Sequence, residues 1–180
     1  AIPIILPMCT SQSGFEQLKK IVKTFPGMLV LADNQGLQNL TNFTDGSITI
    51  QNIESEIKVD KFRHGAYGKQ DEAIIMYSSG STSEPKGTIL TIENILEAVR
   101  EKSKEYTVAS DDIFMTWMSL EHIVGMVDFM FLPFFKGCKC IYSEISSFLS
   151  NPKEWFDLLE KYRVTISVAP NFAYKYISDY

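Results

Sequence analysis

The stretch that decides the fold reads Ala73-Ile74-Ile75-Met76-Tyr77-Ser78-Ser79-Gly80-Ser81-Thr82-Ser83-Glu84-Pro85-Lys86-Gly87. Its first five residues form a compact apolar run typical of a buried strand, and an amphipathic stretch follows from Thr91. Between these runs, hydroxyl side chains and glycines surround one lysine. Hydroxyls and the free N–H groups of a glycine-containing turn donate hydrogen bonds to phosphate oxygens and leave room for them. The pattern therefore favours a phosphate-binding loop.

The lysine of this stretch supports the same interpretation. Lys86 adds a mobile positive charge, worth about 4 kcal/mol against a phosphate at ~4 Å under an effective dielectric near 20, and Pro85 restricts the backbone just before it. The order is not that of a G-x-x-x-x-G-K-[ST] loop, because Gly87 follows the lysine. A G-x-S-x-G nucleophile elbow is also absent. An ordinary polar surface loop is the alternative.

The order of residues carries a resemblance to a known family. Ser78-Ser79-Gly80-Ser81-Thr82-x-x-Pro85-Lys86-Gly87, followed by Leu90-Thr91-x-x-Asn94, resembles the phosphate-binding signature of adenylate-forming enzymes. That family includes acyl-CoA synthetases, peptide-synthetase adenylation domains and acyl-AMP ligases. Ser83 stands where the family usually has glycine, so a positive φ there would cost of order 1 kcal/mol and would alter ATP affinity or loop mobility.

The resemblance implies a reaction and a set of ATP contacts. A carboxylate attacks the α-phosphate of ATP and gives acyl-AMP and pyrophosphate. The acyl group then passes to a phosphopantetheine thiol on a carrier protein or to coenzyme A. The implied nucleotide-binding residues are Ser78, Ser79, Gly80, Ser81, Thr82, Lys86 and Gly87, with Lys86 in a supporting catalytic role. Mg²⁺ would share the phosphate charge, with its ligands mostly outside this chain.

Composition and charge bound the function classes. The 180 residues suit one domain, and 45% hydrophobic with 22% charged residues is the composition of a soluble globular protein. The net charge is −5 and the basic residues are scattered, so neither a nucleic-acid partner nor an anionic membrane surface is expected. The longest apolar stretch, Ile123 to Phe135, is interrupted and too short to span a bilayer.

The three cysteines, Cys9, Cys138 and Cys140, include no C-x-x-C pair. An odd count without that spacing argues against a disulfide framework and a zinc site, so no metal site is expected, and a reduced, cytoplasmic setting fits. The chain begins abruptly in a strand-like run and ends in an aromatic one. We therefore expect a piece of a longer polypeptide.

The first half of the chain predicts an α/β fold. A strand at Ile2–Met8, a helix at Gly14–Phe25 and a strand at Met28–Ala32 give a β-α-β start, and continuous apolar strands favour a layered, largely parallel sheet with helices on both faces. Asp33 is predicted to be a turn residue. Residues 34–70 are predicted to be a connector with small edge strands, such as those at Ile48–Ile50 and Ile57–Val59.

The second half continues the alternation of strands and helices. The predicted strands are Ile113–Trp117, Cys138–Tyr142 and Val164–Ala169. The predicted helices are one capped by Thr91, a buried one opened by Met118–Gly125 and ended by Gly137, and one capped by Asn151 with Trp155, Leu158, Leu159 and Tyr162 inside.

Three residues are candidates for acid binding: His122, Asn171 and Phe172. A lone histidine beside an apolar helix is usually a satisfied boundary residue, but the resemblance places His122 at the mouth of the acyl pocket. Asn171 and Phe172 follow a strand, where open α/β folds place ligands. The alternative there is a helix start with Phe172, Tyr176 and Tyr180 in the core.

Sequence around these residues refines the family resemblance. Asn151-Pro152-x-x-Trp155 with Thr165-Ile166-x-x-Ala169-Pro170-Asn171-Phe172-Ala173 looks like acyl-activating loading domains of polyketide and hybrid peptide synthases. Residues 1–180 are then expected to be part of the large N-terminal subdomain of an adenylation domain. The family's adenine-binding residues, acidic magnesium contact and mobile-domain lysine would lie beyond residue 180, so this piece alone is predicted to be inactive.

Two other functions stay open. A stand-alone acyl-CoA synthetase shares the chemistry and differs in the acceptor thiol. A non-catalytic scaffold or carrier-docking module would follow if Ser83 had weakened ATP binding.

Overall fold

The computed structural model describes residues 2–6, 11–41, 49–54, 65–78 and 86–179. The chain divides into two compact units. The first comprises Ala1–Gly68 and Ile74–Ile89, and the second comprises Lys69–Ala73 and Leu90–Tyr180.

The first unit contains short strands and two helices. Its elements are β1 (Ile4–Ile5), α1 (Gln12–Thr24), β2 (Leu29–Ala32), α2 (Asn34–Thr41), β3 (Thr49–Asn52), most of β4 (Glu72–Ser78) and the start of β5 (Lys86–Thr91). β1 pairs with β4 in parallel, β4 neighbours β5, and β2 pairs with β3 in parallel. The strands on either side of α1 therefore join different sheets.

Helix α1 confirms the helix predicted at Gly14–Phe25, with bounds shifted by one or two residues. Ser11 caps it by accepting a hydrogen bond from the Gly14 N–H at 3.2 Å, which satisfies one of the free donors of the first turn. Phe15 and Leu18 are buried together with Leu40 of α2, and Val30 and Ile50 pack against them. The helical spacing of the apolar residues thus faces the core of the first unit.

Helix α2 corrects the predicted connector. Residues 34–41 are helical, although Asn34, Gly36 and Asn39 are weak helix formers. Tertiary packing of Leu40 overrides that weak propensity. Asp33 accepts the Gly36 N–H at 2.7 Å, so its carboxylate serves the first turn of α2. The predicted edge strand at Ile48–Ile50 corresponds to β3 where the structure describes it, and Ile57–Val59 lies outside the described residues.

The second unit is built on a parallel sheet in the order β7-β6-β8. Its elements are α3 (Ile92–Glu105), β6 (Ile113–Thr116), α4 (Ile123–Met126), a π-helical turn (Val127–Phe131), α5 (Leu132–Lys136), β7 (Lys139–Tyr142), α6 (Ile145–Ser150), α7 (Lys153–Tyr162), β8 (Ile166–Ser167) and α8 (Asn171–Ser178). The predicted α/β class with parallel strands is confirmed. The described strands form three small sheets.

The helix predicted to open at Met118 begins five residues later, at Ile123. It is not buried on every side, because Phe134 is 79% exposed and Phe135 is also exposed. Its predicted end is confirmed: Gly137 adopts the left-handed conformation, with φ 69°, that terminates helices readily.

Two further boundaries differ from prediction. Asn151 ends α6, a helix that the sequence pattern did not reveal, and Pro152 takes the position before α7 without a side-chain cap. Strand β8 is limited to Ile166–Ser167, which pair with Phe114 and Met115 of β6, and the Thr165 N–H before it also donates to the Ile113 carbonyl at 2.9 Å.

An aromatic core holds the second unit together. Met115, Trp117, Phe148, Trp155 and Ala173 are buried in one cluster, with Leu158 and Leu159 packed against it as predicted. At about 1.5–3 kcal/mol for each large apolar side chain buried, this cluster stabilises the sheet and helices that surround it. The alternative that placed Phe172 and Tyr176 in the core is wrong, since both are exposed, and Tyr180 lies outside the described residues.

No helix among the described residues is both long enough and apolar enough to cross a membrane.

Candidate functional site

The predicted phosphate loop is flanked by two neighbouring strands. β4 ends at Ser78 and β5 begins at Lys86, and the two strands lie side by side in one sheet. Ser79, Gly80, Ser81, Thr82 and Ser83 lie outside the described residues, so their phosphate contacts stay predictions. The structure thus defines the two ends of the loop and gives no contact within it.

Lys86 is the first residue of β5 and is exposed. No carboxylate among the described residues forms an ion pair with it. Its ammonium therefore keeps the freedom that a phosphate-binding lysine needs.

Gly87 lies against the neighbouring strand. A Cβ at this position would meet Ile75 Cγ2 and Tyr77 Cζ at 3.0 Å each. Only glycine lets β5 approach the Tyr77 ring this closely without displacing it. The geometry gives Gly87 a packing role, and its predicted nucleotide contact stays untested.

The second half of the motif, Thr91-x-x-Asn94, is a helix cap. Thr91 accepts the Asn94 N–H at 3.2 Å, and the Asn94 side chain accepts the Thr91 N–H at 3.1 Å. This reciprocal arrangement is a capping box, which satisfies two backbone donors at the start of α3. The Ile92 N–H also donates to the Asp71 carbonyl at 3.0 Å, so the helix start is tied to the preceding segment.

The candidate acid-binding residues follow strands that end at the same edge of the second unit's sheet. β6 and β8 are parallel and pair Met115 with Ser167, so their carboxyl ends lie side by side. The turn that carries His122 follows β6, and Asn171 and Phe172 follow β8. This is the edge at which open α/β sheets bind ligands.

His122 is the N-cap of α4. Its Nδ1 accepts the Val124 N–H at 3.3 Å. An accepting Nδ1 carries no proton, so the neutral ring presents an N–H donor at Nε2. The side chain is exposed, which leaves that donor open to a ligand.

The turn before α4 is packed closely against it. A Cβ at Gly125 would lie 2.2 Å from the Ser119 carbonyl oxygen, a distance that no side chain tolerates. The Met126 N–H bonds to the His122 carbonyl at 2.9 Å. Gly125 therefore lets the turn fold back over the first residues of α4.

Asn171 and Phe172 begin α8 and are both exposed. The Phe172 ring meets Trp117 edge to face, with centroids 6.3 Å apart. The structure thus brings one predicted acid-binding residue to the aromatic core. Trp117 ends a predicted strand and opens the run Trp117–His122, which the family resemblance predicts to be a wall of the acyl pocket.

Trp117 is surrounded by other rings. It stacks on Phe148 with centroids 4.0 Å apart and an interplanar angle of 1°, and it meets Trp155 edge to face at 5.9 Å. These offset and T-shaped contacts favour a rigid wall beside the edge of the sheet.

A buried polar group lies in the same unit. Asp128, on the π-helical turn, is 2% exposed and accepts a hydrogen bond from the Tyr106 hydroxyl at 2.7 Å, while Lys102 Nζ lies 3.9 Å from the same oxygen. Burial, followed by the bond to Asp128, raises the pKa of Tyr106 to about 12. The spacing of residues in the sequence gave no sign that Tyr106 has this partner.

The π-helical turn has a second polar attachment. The Phe129 carbonyl accepts from Cys140 Sγ at 3.2 Å and from the Tyr142 hydroxyl at 2.5 Å. Burial raises the pKa of both the Cys140 thiol and the Tyr142 phenol. These contacts supply donors to a carbonyl that receives none from the residue four positions on, because Pro133 has no backbone N–H.

Across the described residues, no three acidic, histidine or cysteine side chains come together as a metal site. No step of the chemistry below is assigned to a metal held by these residues.

Comparison with known proteins places these features in context. A family model described as "AMP-binding enzyme" matches residues 11–179. The medium-chain-fatty-acid–[acyl-carrier-protein] ligase TtuA of Teredinibacter turnerae is 30% identical over 128 residues, covering 69% of this chain and 20% of the relative. The chain thus spans about a fifth of the length of that relative.

Solved structures show the same architecture. The fatty acyl-adenylate ligase from L. pneumophila, in complex with acyl adenylate and pyrophosphate, matches with a TM-score of 0.86 at 27% identity. The match covers 98% of this chain and 31% of the L. pneumophila chain. McyG A-PCP complexed with phenylalanyl-adenylate has a TM-score of 0.87 at 25% identity over 99% of this chain and 30% of that one.

Proposed function

This chain belongs to the AMP-binding enzyme family, and on that premise we propose that it is part of a ligase that activates a carboxylic acid with ATP. The products of the first step are acyl-AMP and pyrophosphate. The acyl group then passes to the phosphopantetheine thiol of a carrier protein. The observation that carries the proposal is the loop between β4 and β5, which precedes the capped start of α3 and the exposed Lys86, a lysine with no ion pair to any described residue.

The phosphate loop acts by position and charge. Ser78, Ser79, Gly80, Ser81 and Thr82 donate hydrogen bonds to the β- and γ-phosphates, and Lys86 neutralises the charge that grows as pyrophosphate leaves. Such groups accelerate the reaction because they are oriented before charge develops. ATP is the cosubstrate and Mg²⁺ its expected companion, held by residues elsewhere in the parent protein.

The acid lies at the edge of the sheet in the second unit. His122 presents its Nε2–H, and Asn171 and Phe172 border the acyl group. Exposed polar donors beside a rigid aromatic wall suit a carboxylate head and an apolar tail. Transfer to a carrier protein is supported by the similarity to TtuA, an acyl-carrier-protein ligase, and to McyG A-PCP.

The size of the chain supports a parent protein in which other segments supply part of the catalytic groups. In this proposal residues 1–180 are part of the large N-terminal subdomain, and a chain that spans 20% of TtuA and 31% of the L. pneumophila ligase is consistent with that. The remaining catalytic groups lie in the rest of the parent protein, and the isolated piece is inactive. The free thiols of Cys138 and Cys140 are consistent with a cytoplasmic setting.

Pyrophosphate exchange in the full-length protein tests the proposal. Lys86→Ala should lower the exchange rate by roughly 100-fold or more, the scale of removing one preorganised electrostatic donor. Lys153→Ala, which removes an exposed lysine at the start of α7, is the matched control and should leave the rate unchanged. Equal rates in wild type and Lys86→Ala would refute the phosphate role.

Two further measurements separate the alternatives. Ser83→Gly should keep or raise the exchange rate if the protein is an enzyme, whereas a non-catalytic scaffold shows no exchange in any variant. Acyl transfer from the preformed adenylate to holo carrier protein, compared with transfer to coenzyme A, distinguishes a carrier-loading ligase from a stand-alone acyl-CoA synthetase.

A further inference from the structure

The two tryptophans of the aromatic core differ in one respect. Trp155 Nε1 donates to Ser167 Oγ at 3.1 Å, and that hydroxyl donates in turn to the Met115 carbonyl at 2.9 Å. Trp117 is 3% exposed, and its Nε1 has no acceptor among the described residues. The Trp155 N–H is satisfied through the sheet, whereas the Trp117 N–H is buried without a partner in the described part of the chain.

A buried donor without an acceptor is unusual in a native protein. The N–H gives up its hydrogen bond to water on folding and gains nothing in return, so such groups are nearly always paired. When one is left, it calls for an explanation, such as a bound water or a functional role. The Trp117 N–H therefore marks a place where an acceptor oxygen is expected.

Among the described residues, three aromatic rings contact Trp117, and no oxygen accepts a hydrogen bond from its Nε1. Phe148 covers one face of the indole, and Trp155 and Phe172 meet it edge to face. Phe172 is 52% exposed, so its edge-to-face contact connects the covered indole of Trp117 to the surface after β8. Phe172 is also one of the residues that the proposed function assigns to the acyl group.

We propose that Trp117 Nε1 donates a hydrogen bond to an oxygen on the acyl chain of the bound acid. The preferred substrates are then oxo or hydroxy acids, whose chain carries an acceptor, and saturated hydrocarbon acids are poorer. This inference rests on the proposed function, because it assumes that the acid binds beside Phe172.

The Trp117 N–H discriminates between substrates because only a substrate with an oxygen at this place can pair with it. A substrate oxygen satisfies the N–H, whereas a methylene group in the same place leaves it buried and unpaired. Sites that hydrogen-bond a substrate group reject the analogue lacking it far more strongly than apolar pockets reject one methylene. The stacked ring contacts hold the indole still, so the N–H cannot turn away to avoid the mismatch.

The test uses the full-length protein and matched pairs of acids. Saturated fatty acids of increasing length are compared with the corresponding oxo and hydroxy acids bearing oxygen at successive carbons. The readout is kcat/KM for adenylate formation, by pyrophosphate exchange. Wild type should favour the best oxygenated acid over its hydrocarbon partner by at least about 10-fold.

Trp117→Phe removes the N–H and keeps an aromatic ring against Phe148. It should reduce that preference to roughly 2-fold or less, through lost activity on the oxygenated acid and not through a gain on the hydrocarbon one. Trp155→Phe is the matched control. It deletes an indole N–H that is already bound to Ser167, so it should leave the preference between the two acids intact.

A second readout does not depend on the variant folding well. In wild-type protein labelled with ¹⁵N at the indole nitrogens, the Trp117 signal should shift on addition of the preferred oxygenated acid and not with its hydrocarbon partner. The Trp155 signal should stay in place.

Several outcomes would overturn the inference. Equal kcat/KM for the paired acids in wild type, or an unchanged preference in Trp117→Phe, would mean that a water or a neighbouring ring face satisfies the N–H. If none of the acids supported pyrophosphate exchange, the proposed function itself would be refuted. Exchange with hydrocarbon and oxygenated acids alike would leave the ligase in place and remove only the role of Trp117.

Discussion

The Tyr106 hydroxyl donates a hydrogen bond to the Asp128 carboxylate across 2.7 Å, joining the end of α3 to the π-helical turn. Asp128 is buried, and Lys102 at 3.9 Å is too exposed to compensate its charge strongly. The pair therefore holds the helix that begins at His122 in register with α3.

Tyr106→Phe should destabilise the protein. It removes the short hydrogen bond to a buried carboxylate, and bonds to charged groups contribute roughly 1.5–3 kcal/mol. The measurement is the free energy of opening of α4 and α5 by amide hydrogen exchange. Tyr162→Phe, whose hydroxyl has no hydrogen bond within the described part of the chain, is the control and should change little. Similar protection in both variants would contradict a role for the pair.

The pH dependence follows from the same phenol. Its folded pKa is raised to about 12 by burial and by Asp128, whereas an unfolded tyrosine titrates near 10. Below about pH 10 both states are protonated and the stabilisation is fully present. As the pH rises from about 10 to 12, the unfolded phenol loses its proton first, so the free energy of unfolding falls.

This loss should be smaller in Tyr106→Phe. Chemical denaturation of wild type and variant across about pH 9 to 12 measures the two slopes. Tyr142 is present in both proteins, so its own raised pKa cancels in the comparison. Parallel curves would show that Tyr106 titrates normally in the folded state.

The capping box of α3 makes a prediction about the signature motif. Thr91→Ala should cost about 1 kcal/mol, because the Asn94 N–H loses its acceptor, while Thr91→Ser keeps the hydroxyl and should cost much less. The double variant of Thr91→Ala with Asn94→Ala should cost less than the sum of the two, since both belong to one reciprocal pair. Amide protection in the first turn of α3 reports the effect. Additive costs would argue against the box.

Gly125→Ala should be poorly tolerated. The new Cβ would lie 2.2 Å from the Ser119 carbonyl oxygen, so the turn carrying Trp117 and His122 must move. Overpacking of this kind typically costs about 1–3 kcal/mol. We expect a lower rate of adenylate formation together with a lower melting temperature.

Gly137→Ala provides the contrast to that variant. No atom lies within 4 Å of its Cβ position, so only the positive φ of 69° is strained, at about 1–2 kcal/mol. Stability should fall, and the rate of adenylate formation at a permissive temperature should not. A rate as high in Gly125→Ala as in Gly137→Ala would contradict the packing argument.

Local sequence patterns predicted the structure correctly where interactions within one segment determine it. The helical spacing of Phe15 and Leu18 predicted α1, Gly137 predicted a helix end, and Thr91 predicted the start of α3. Capping, periodicity and left-handed glycine are short-range effects, and the energy of each is decided within a few residues. The family signature around Lys86 is local in the same sense.

Pattern failed where a distant partner decides the outcome. Asn34 to Thr41 is helical because Leu40 packs against Phe15 and Leu18, and Phe172 is exposed although its neighbours are aromatic. The Tyr106–Asp128 bond spans 22 residues, so no periodicity could report it.

By itself the sequence determined the α/β class, the order of most strands and helices, and membership of a family that binds AMP, because these depend on local apolar spacing and on an ordered motif. Only the tertiary structure decided that Gly87 is needed against Tyr77, that His122 presents Nε2–H, and that the Trp117 N–H has no acceptor among the residues that the structure describes. The physical reason is that hydrogen-bond satisfaction and close packing are properties of groups brought together by the fold, and they leave no mark on either segment alone.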